Sequence, residues 1–106
     1  MSELIRRMFP YDGEPYGWML TFDHFDNKPS SVAGPNAMSD EILARLKAGE
    51  GKEFRLLDDD NNLMAEGRYL GPDDETEFGP LDDYGLPNWG CTMIQYRNKE
   101  GMFETI

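Results

Sequence analysis

The chain has 106 residues, with 21 Asp and Glu against 10 Lys and Arg, and a formal net charge of −11 at pH 7. That length predicts one domain over residues 1–106, and 39% hydrophobic with 12% aromatic residues excludes an intrinsically disordered chain. The acid excess argues against direct binding of nucleic acid or of anionic membrane surfaces, both of which need Lys and Arg, and favours a basic protein partner, cations, or simple solubility.

Residues 1–15 read as an irregular segment closed by the turn-like run Asp12, Gly13, Glu14, Pro15. Arg6 and Arg7 are followed by no apolar run, so a signal peptide is not expected there. Tyr16, Trp18, Leu20 and Phe22 then alternate with Gly17, Met19, Thr21 and Asp23, the period of two of a half-buried strand. Residues 26–37 are rich in Asn, Pro, Ser and Gly and read as a loop.

A short helix of about ten residues follows. Ser39 is its N-cap, and Asp40 and Glu41 put negative charge on the first turn. Met38 and Leu43 stand at staple positions, Ile42, Leu43 and Leu46 form the apolar stripe, and Gly49 supplies the left-handed stop. Residues 54–57 and 63–70 then form a β-hairpin around the polar loop 58–62, with Gly67 marking a bulge or a close backbone approach. Residues 71–90 hold much of the remaining Pro and Gly and read as a long ordered loop, with turns at Gly34-Pro35 and Gly79-Pro80. Residues 91–97 and 102–106 make a last hairpin. The expected architecture is α+β: an antiparallel sheet of four to five strands with one short helix packed on one face.

Acids dominate the middle of the chain. Residues 58–83 carry ten of them, with Arg68 as the only base. Asp58, Asp59, Asp60, Asp73, Asp74, Glu75, Glu77, Asp82 and Asp83, with Tyr84 and Trp89, are the candidate partner-binding residues. Carboxylates attract a basic surface, and aromatic anchors within such a rim give contact area. The same acids also fit a solvated face that keeps the chain in solution and blunts a sheet edge.

Other chemistries find less support. Asp58, Asp60 and Asn62 fall on the first, third and fifth positions of an EF-hand loop, but Leu63 and Tyr69 occupy the positions that need Gly and Glu. One His and one Cys are too few for a structural zinc site. Asp23, His24 and Cys91 are the minimum set for thiol catalysis, yet nothing around Cys91 resembles a nucleophile turn. Phosphate-binding glycine loops are absent, and no catalytic residue, metal or cofactor is assigned.

Several runs occur together: Trp18 with Asp23 and His24, the stretches 32–35 and 54–60, Glu66 to Tyr69, 80–85, Pro87-Asn88 and 94–96. In this the chain resembles a group of small acidic bacterial proteins often carried on plasmids, integrative elements and phages. That group has no assigned activity, so the resemblance implies context: mobile elements encode small acidic proteins that block host defence nucleases or DNA-binding proteins.

The leading expectation is therefore a non-enzymatic binding protein whose acidic face engages a basic protein surface, with carboxylates standing where nucleic acid presents phosphates. The alternatives are a divalent-cation-binding module or small metal-dependent enzyme using Asp23, His24 and nearby carboxylates, and a structural accessory protein. Either a monomer or an edge-paired homodimer fits. No apolar stretch approaches transmembrane length, and the lone Cys91 excludes an internal disulfide and fits a reducing compartment, so the cytoplasm is the expected location.

Overall fold

The computed structural model describes residues 15–36 and 38–106. The expectation of an irregular segment over residues 1–15 therefore lies, but for residue 15, outside the described residues.

The alternating run forms β1 (Gly17–Asp23), which the short strands β2 (Lys28–Pro29) and β3 (Ala33–Gly34) flank. Helix α1 (Asp40–Lys47) follows, then the hairpin β4 (Lys52–Leu57) and β5 (Leu63–Leu70). A 3-10 turn (Glu75–Phe78), a π-helical turn (Leu81–Gly85) and α2 (Leu86–Trp89) lead to the closing hairpin β6 (Met93–Arg97) and β7 (Phe103–Thr105). The strands lie in the order β2-β1-β5-β4-β6-β7, with β3 also on β1, and their pairings are antiparallel.

The α+β class with an antiparallel sheet is as expected, but the counts are not. Seven strands replace four to five, because residues 26–37 contribute two two-residue strands too short to show any alternation. Pro29 is tolerated there, since β2 is a sheet edge. A second helical region replaces the loop expected over residues 71–90. Its prolines read as helix breakers, yet Pro80 stands in the first turn of a helical run over residues 79–89, where a missing N–H costs nothing, and Pro87 falls where the π turn passes into α2. Gly79-Pro80 is thus part of a helical stretch and not a separate turn.

Local chemistry explains α1 as written. The Ser39 hydroxyl accepts from the Ile42 amide at 3.2 Å. At the other end Gly49 takes φ +93°, and the Gly49 and Glu50 amides donate to the Leu46 and Arg45 carbonyls, a Schellman closure.

The sheet carries different loads on its two faces. Trp18, Leu20, Phe54, Leu56, Ala65, Tyr69, Ile94 and Tyr96 point to one face, where Leu81 and Cys91 of the crossing segment complete the main core. Met19 points the other way, onto Ile42 and Leu46 of α1. Gly67 faces the main core, and a Cβ there would lie 2.4 Å from the Met19 carbonyl oxygen and 2.5 Å from the Phe54 ring. The close approach read from sequence is thus present, and Thr21 forms a bulge opposite it.

Candidate functional site

The acidic segment is anchored at its start by side chains of the sheet. Lys52, on β4, bonds Asp73 at 2.7 Å and also bonds Glu77, and its ammonium lies over the rings of Tyr69 and Tyr96. The Tyr96 hydroxyl donates to the Glu77 carbonyl at 2.8 Å, and the hydroxyls of Tyr69 and Thr76 sit 2.5 Å apart. Asp74 caps the 3-10 turn, accepting from the Thr76 amide and hydroxyl. Partial burial acts to lower the Lys52 pKa, but the bonds to Asp73 and Glu77 outweigh it and leave it raised. The same bond, and then the Lys52 charge, hold Asp73 below the ordinary carboxylate range.

The segment then crosses the main core. The π turn buries Leu81 and Gly85 and leaves Asp82 and Asp83 in solvent. Tyr84 and Trp89 are half-buried and packed edge-to-face, with ring centroids 5.3 Å apart, and Tyr84 also meets Trp18. Beside them a cleft of about 420 Å³ is lined by Trp18, Val32, Pro35, Asp83 and Tyr84 among others. Burial, and then the neighbouring charge of Asp82, push the Asp83 carboxyl above its usual value. Neither Asp82 nor Asp83 has a cationic partner among the described residues.

The remaining predicted carboxylates lie elsewhere. Asp58 folds the β4–β5 hairpin tip, accepting from the Asp60 and Asn62 amides and the Asn62 side chain, and the bonds from Asn62 lead in lowering its pKa. Asp59 accepts from the Thr92 hydroxyl at 2.7 Å, and Asp60 is exposed. Lys52 and Leu57 stand at the two ends of β4, about 17 Å apart at strand rise. Asp58 to Asp60 follow Leu57, while Asp73 and Glu77 gather at Lys52. The structure therefore brings Asp82, Asp83, Tyr84 and Trp89 together on one helical stretch, clamps Asp73 and Glu77 on Lys52, and leaves 58–60 at the far hairpin tip. Glu75 stands exposed on the 3-10 turn.

Asp23, His24 and Cys91 do not meet. Asp23 is buried and accepts from the Asp26 amide, while His24 Nε2 lies 2.6 Å from Glu66 on the face opposite the main core. Cys91 is fully buried in that core, where burial and then the Asp58 charge raise its thiol to about 11. A thiol so held is a small core side chain and no ready nucleophile. Among the described residues no three His, Cys, Asp or Glu side chains converge as a metal would require.

The sequence reading passed over one further region. On the face opposite the main core, α1 packs on β1 and β5, and among the described residues an open cleft lies beside it over β4 and β6. There Arg55 lies level with Glu66 and Gln95, and Glu53 with Arg68. Glu53 is shared by Arg97 at 3.2 Å and Arg68 at 3.8 Å. Strand alternation could have found this row. If Phe54, Leu56, Ala65, Tyr69, Ile94 and Tyr96 point inward, then Arg55, Glu66, Arg68, Gln95 and Arg97 point outward.

No family model, curated protein or solved structure matches the chain. No helix among the described residues is long and apolar enough to cross a membrane.

Proposed function

We propose that the chain is a non-catalytic binding protein whose acidic crossing segment engages a basic surface of another protein. The observation that carries this reading is the π turn. It seats Leu81 and Gly85 against the core and thereby holds Asp82 and Asp83 outward and adjacent, with no cationic partner among the described residues, beside Tyr84 and the Trp18 cleft.

Two like charges side by side repel, and the partial desolvation of Asp83 adds to the cost. A Lys or Arg side chain from a partner relieves both terms, and the neighbouring aromatic rings offer it a cation–π contact. The turn is held before any partner arrives, so little ordering entropy remains to be lost on binding. A DNA-binding protein or a host defence nuclease is one class of partner with the required basic surface. The resemblance to acidic proteins of mobile elements supports that choice.

The test is capture of basic proteins from a bacterial lysate at low and high salt, comparing the native chain with an Asp60→Asn, Glu75→Gln, Asp82→Asn, Asp83→Asn variant. These four acids are chosen because no side-chain anchor depends on them, whereas Asp73, Asp74 and Glu77 hold the segment in place. A partner retained at low salt, released at high salt and lost by the variant supports the proposal. Equal retention by the native chain and the variant sinks it.

A further inference from the structure

The open face of the sheet carries an arginine that no carboxylate among the described residues pairs with. Arg45 pairs with Glu50, while Arg68 and Arg97 share Glu53. Glu66, level with Arg55 in the sheet, is engaged by His24 at 2.6 Å. Arg55 is therefore the one arginine among the described residues with no carboxylate within ion-pair distance. In a chain with 21 acids and 10 bases, an acid left over is expected by number alone. A leftover arginine is not.

Three features make Arg55 more than a stray charge. Its guanidinium carbon lies 3.8 Å from the centroid of the Phe103 ring, so the stack fixes the group in place. Its Nε atom is buried with no hydrogen-bond partner, an uncompensated desolvation of a charged group. It also lines a cleft of about 550 Å³ with Gln95, Arg97, Met102 and Phe103, and with Glu53 and Glu66, two carboxylates already engaged by Arg68 and Arg97 and by His24; the volume is within the size range of small-ligand sites. Gln95 and Arg97 add donors, and Met102, 66% exposed, adds an apolar rim.

From this arrangement we infer that the Arg55 cleft binds a small organic anion, its carboxylate or phosphate on the guanidinium and its flat or apolar body against Phe103 and Met102. A guanidinium offers paired donors that match either group bidentately. The occupant is a small ligand and not a nucleic acid, because a net charge of −11 repels a polyanion over its whole length but opposes one or two charges only weakly. This site is independent of the acidic segment on the other side of the sheet.

The test is a nuclear magnetic resonance titration that follows the arginine Nε–H signals of the whole chain. Benzoate supplies a carboxylate on a flat body, inorganic phosphate supplies the other anion, and sodium chloride matches the ionic strength. The expected result is a saturable shift of the Arg55 signal and of the Phe103 ring, with a Kd on the order of 1 mM or tighter for one of the two anions. The Arg45 signal, already paired with Glu50, serves as the internal control and stays still. Arg55→Gln, checked for fold by its amide spectrum, should weaken binding about tenfold, as judged at the Phe103 ring. Arg55→Lys, which keeps the charge and loses the fork, should fall between. Non-saturating shifts, equal movement at Arg45, or unchanged affinity in Arg55→Gln would each overturn the inference. So would a short single-stranded oligonucleotide that binds the cleft in preference to both anions.

Discussion

The two faces of this sheet use the same strands to opposite ends. On one face, alternate residues of four strands meet the crossing segment and disappear: Leu20, Phe54, Leu56 and Ala65 have no exposed surface. On the other, the intervening residues of β4, β5 and β6 form a row of Arg, Glu and Gln that lines an open cleft among the described residues. Charge is divided just as sharply. The covering segment holds six carboxylates and is countered by Lys52, whereas the open face holds Arg55, Arg68 and Arg97 against Glu53 and Glu66. Stability is concentrated on the first face, and on each face the groups left unpaired mark where another molecule has something to gain.

The sharpest way to break that comparison is to mutate two neighbours on β4 that point in opposite directions. Phe54 has no exposed surface and packs on Tyr96 and the Gly67 backbone, so Phe54→Ala should cost about 3–5 kcal/mol. Arg55→Ala should change stability by less than about 1 kcal/mol, because the lost Phe103 stack is offset by release of an unsatisfied buried Nε. Urea unfolding of the two variants measures the difference. Similar losses in both would mean that the open face is as much a part of the core as the covered one.

A smaller effect tests how the acidic segment is held. The Thr76 hydroxyl lies between Tyr69 and Asp74, and the residue is 8% exposed. Thr76→Val keeps the shape and removes those bonds, with an expected cost of about 1–2 kcal/mol. Hydrogen exchange at the Glu77 amide, which donates to the Asp74 carbonyl, should quicken more than exchange in β4. Uniform quickening would show that the segment and the sheet open only as one unit.

Much of this architecture was legible because single residues signal it. Ser39 and Gly49 delimit α1, period-two alternation marks β1, and the five polar residues 58–62 mark the tip of the central hairpin. Other parts carried no such mark. The strands β2 and β3 exist by pairing with β1 and not through any local pattern. Pro80 and Pro87 read as breakers, although the first turn of the helical run accepts Pro80 and Pro87 falls where a π turn passes into α2. The acidic residues were visible as a count, but a count does not tell Asp74, which caps a turn, from Asp82, which faces solvent. Arg55 was missed for the complementary reason. Its outward phase follows from Phe54 and Leu56, but the stack on Phe103 depends on β6 lying between β4 and β7, and sheet order is a tertiary fact.

The least of the effects compares the two ends of the acidic segment through pH. Hydrogen bonding to Lys52 and its charge hold Asp73 below the ordinary carboxylate range, while burial and Asp82 push Asp83 above it. A lowered carboxyl contributes stability that is present above the unfolded-state pKa of about 4 and is lost as pH falls through the lowered value. A raised one contributes in the opposite sense, with full effect below about 4 and loss as pH rises through the raised value. At neutral pH, Asp73→Asn should therefore lower the melting temperature slightly and Asp83→Asn should raise it. On acidification both variants should converge on the parent chain, Asp83→Asn first, as its raised carboxyl becomes neutral, and Asp73→Asn only as pH falls through the lowered value. Melting curves on acidification at low salt measure this, and added salt should shrink the Asp73 effect, since its carboxylate is 82% exposed and the ion pair is screened. Stabilisation by both substitutions at neutral pH would mean that the chain feels only its net charge of −11, and that Lys52 does not set apart the carboxylate it holds.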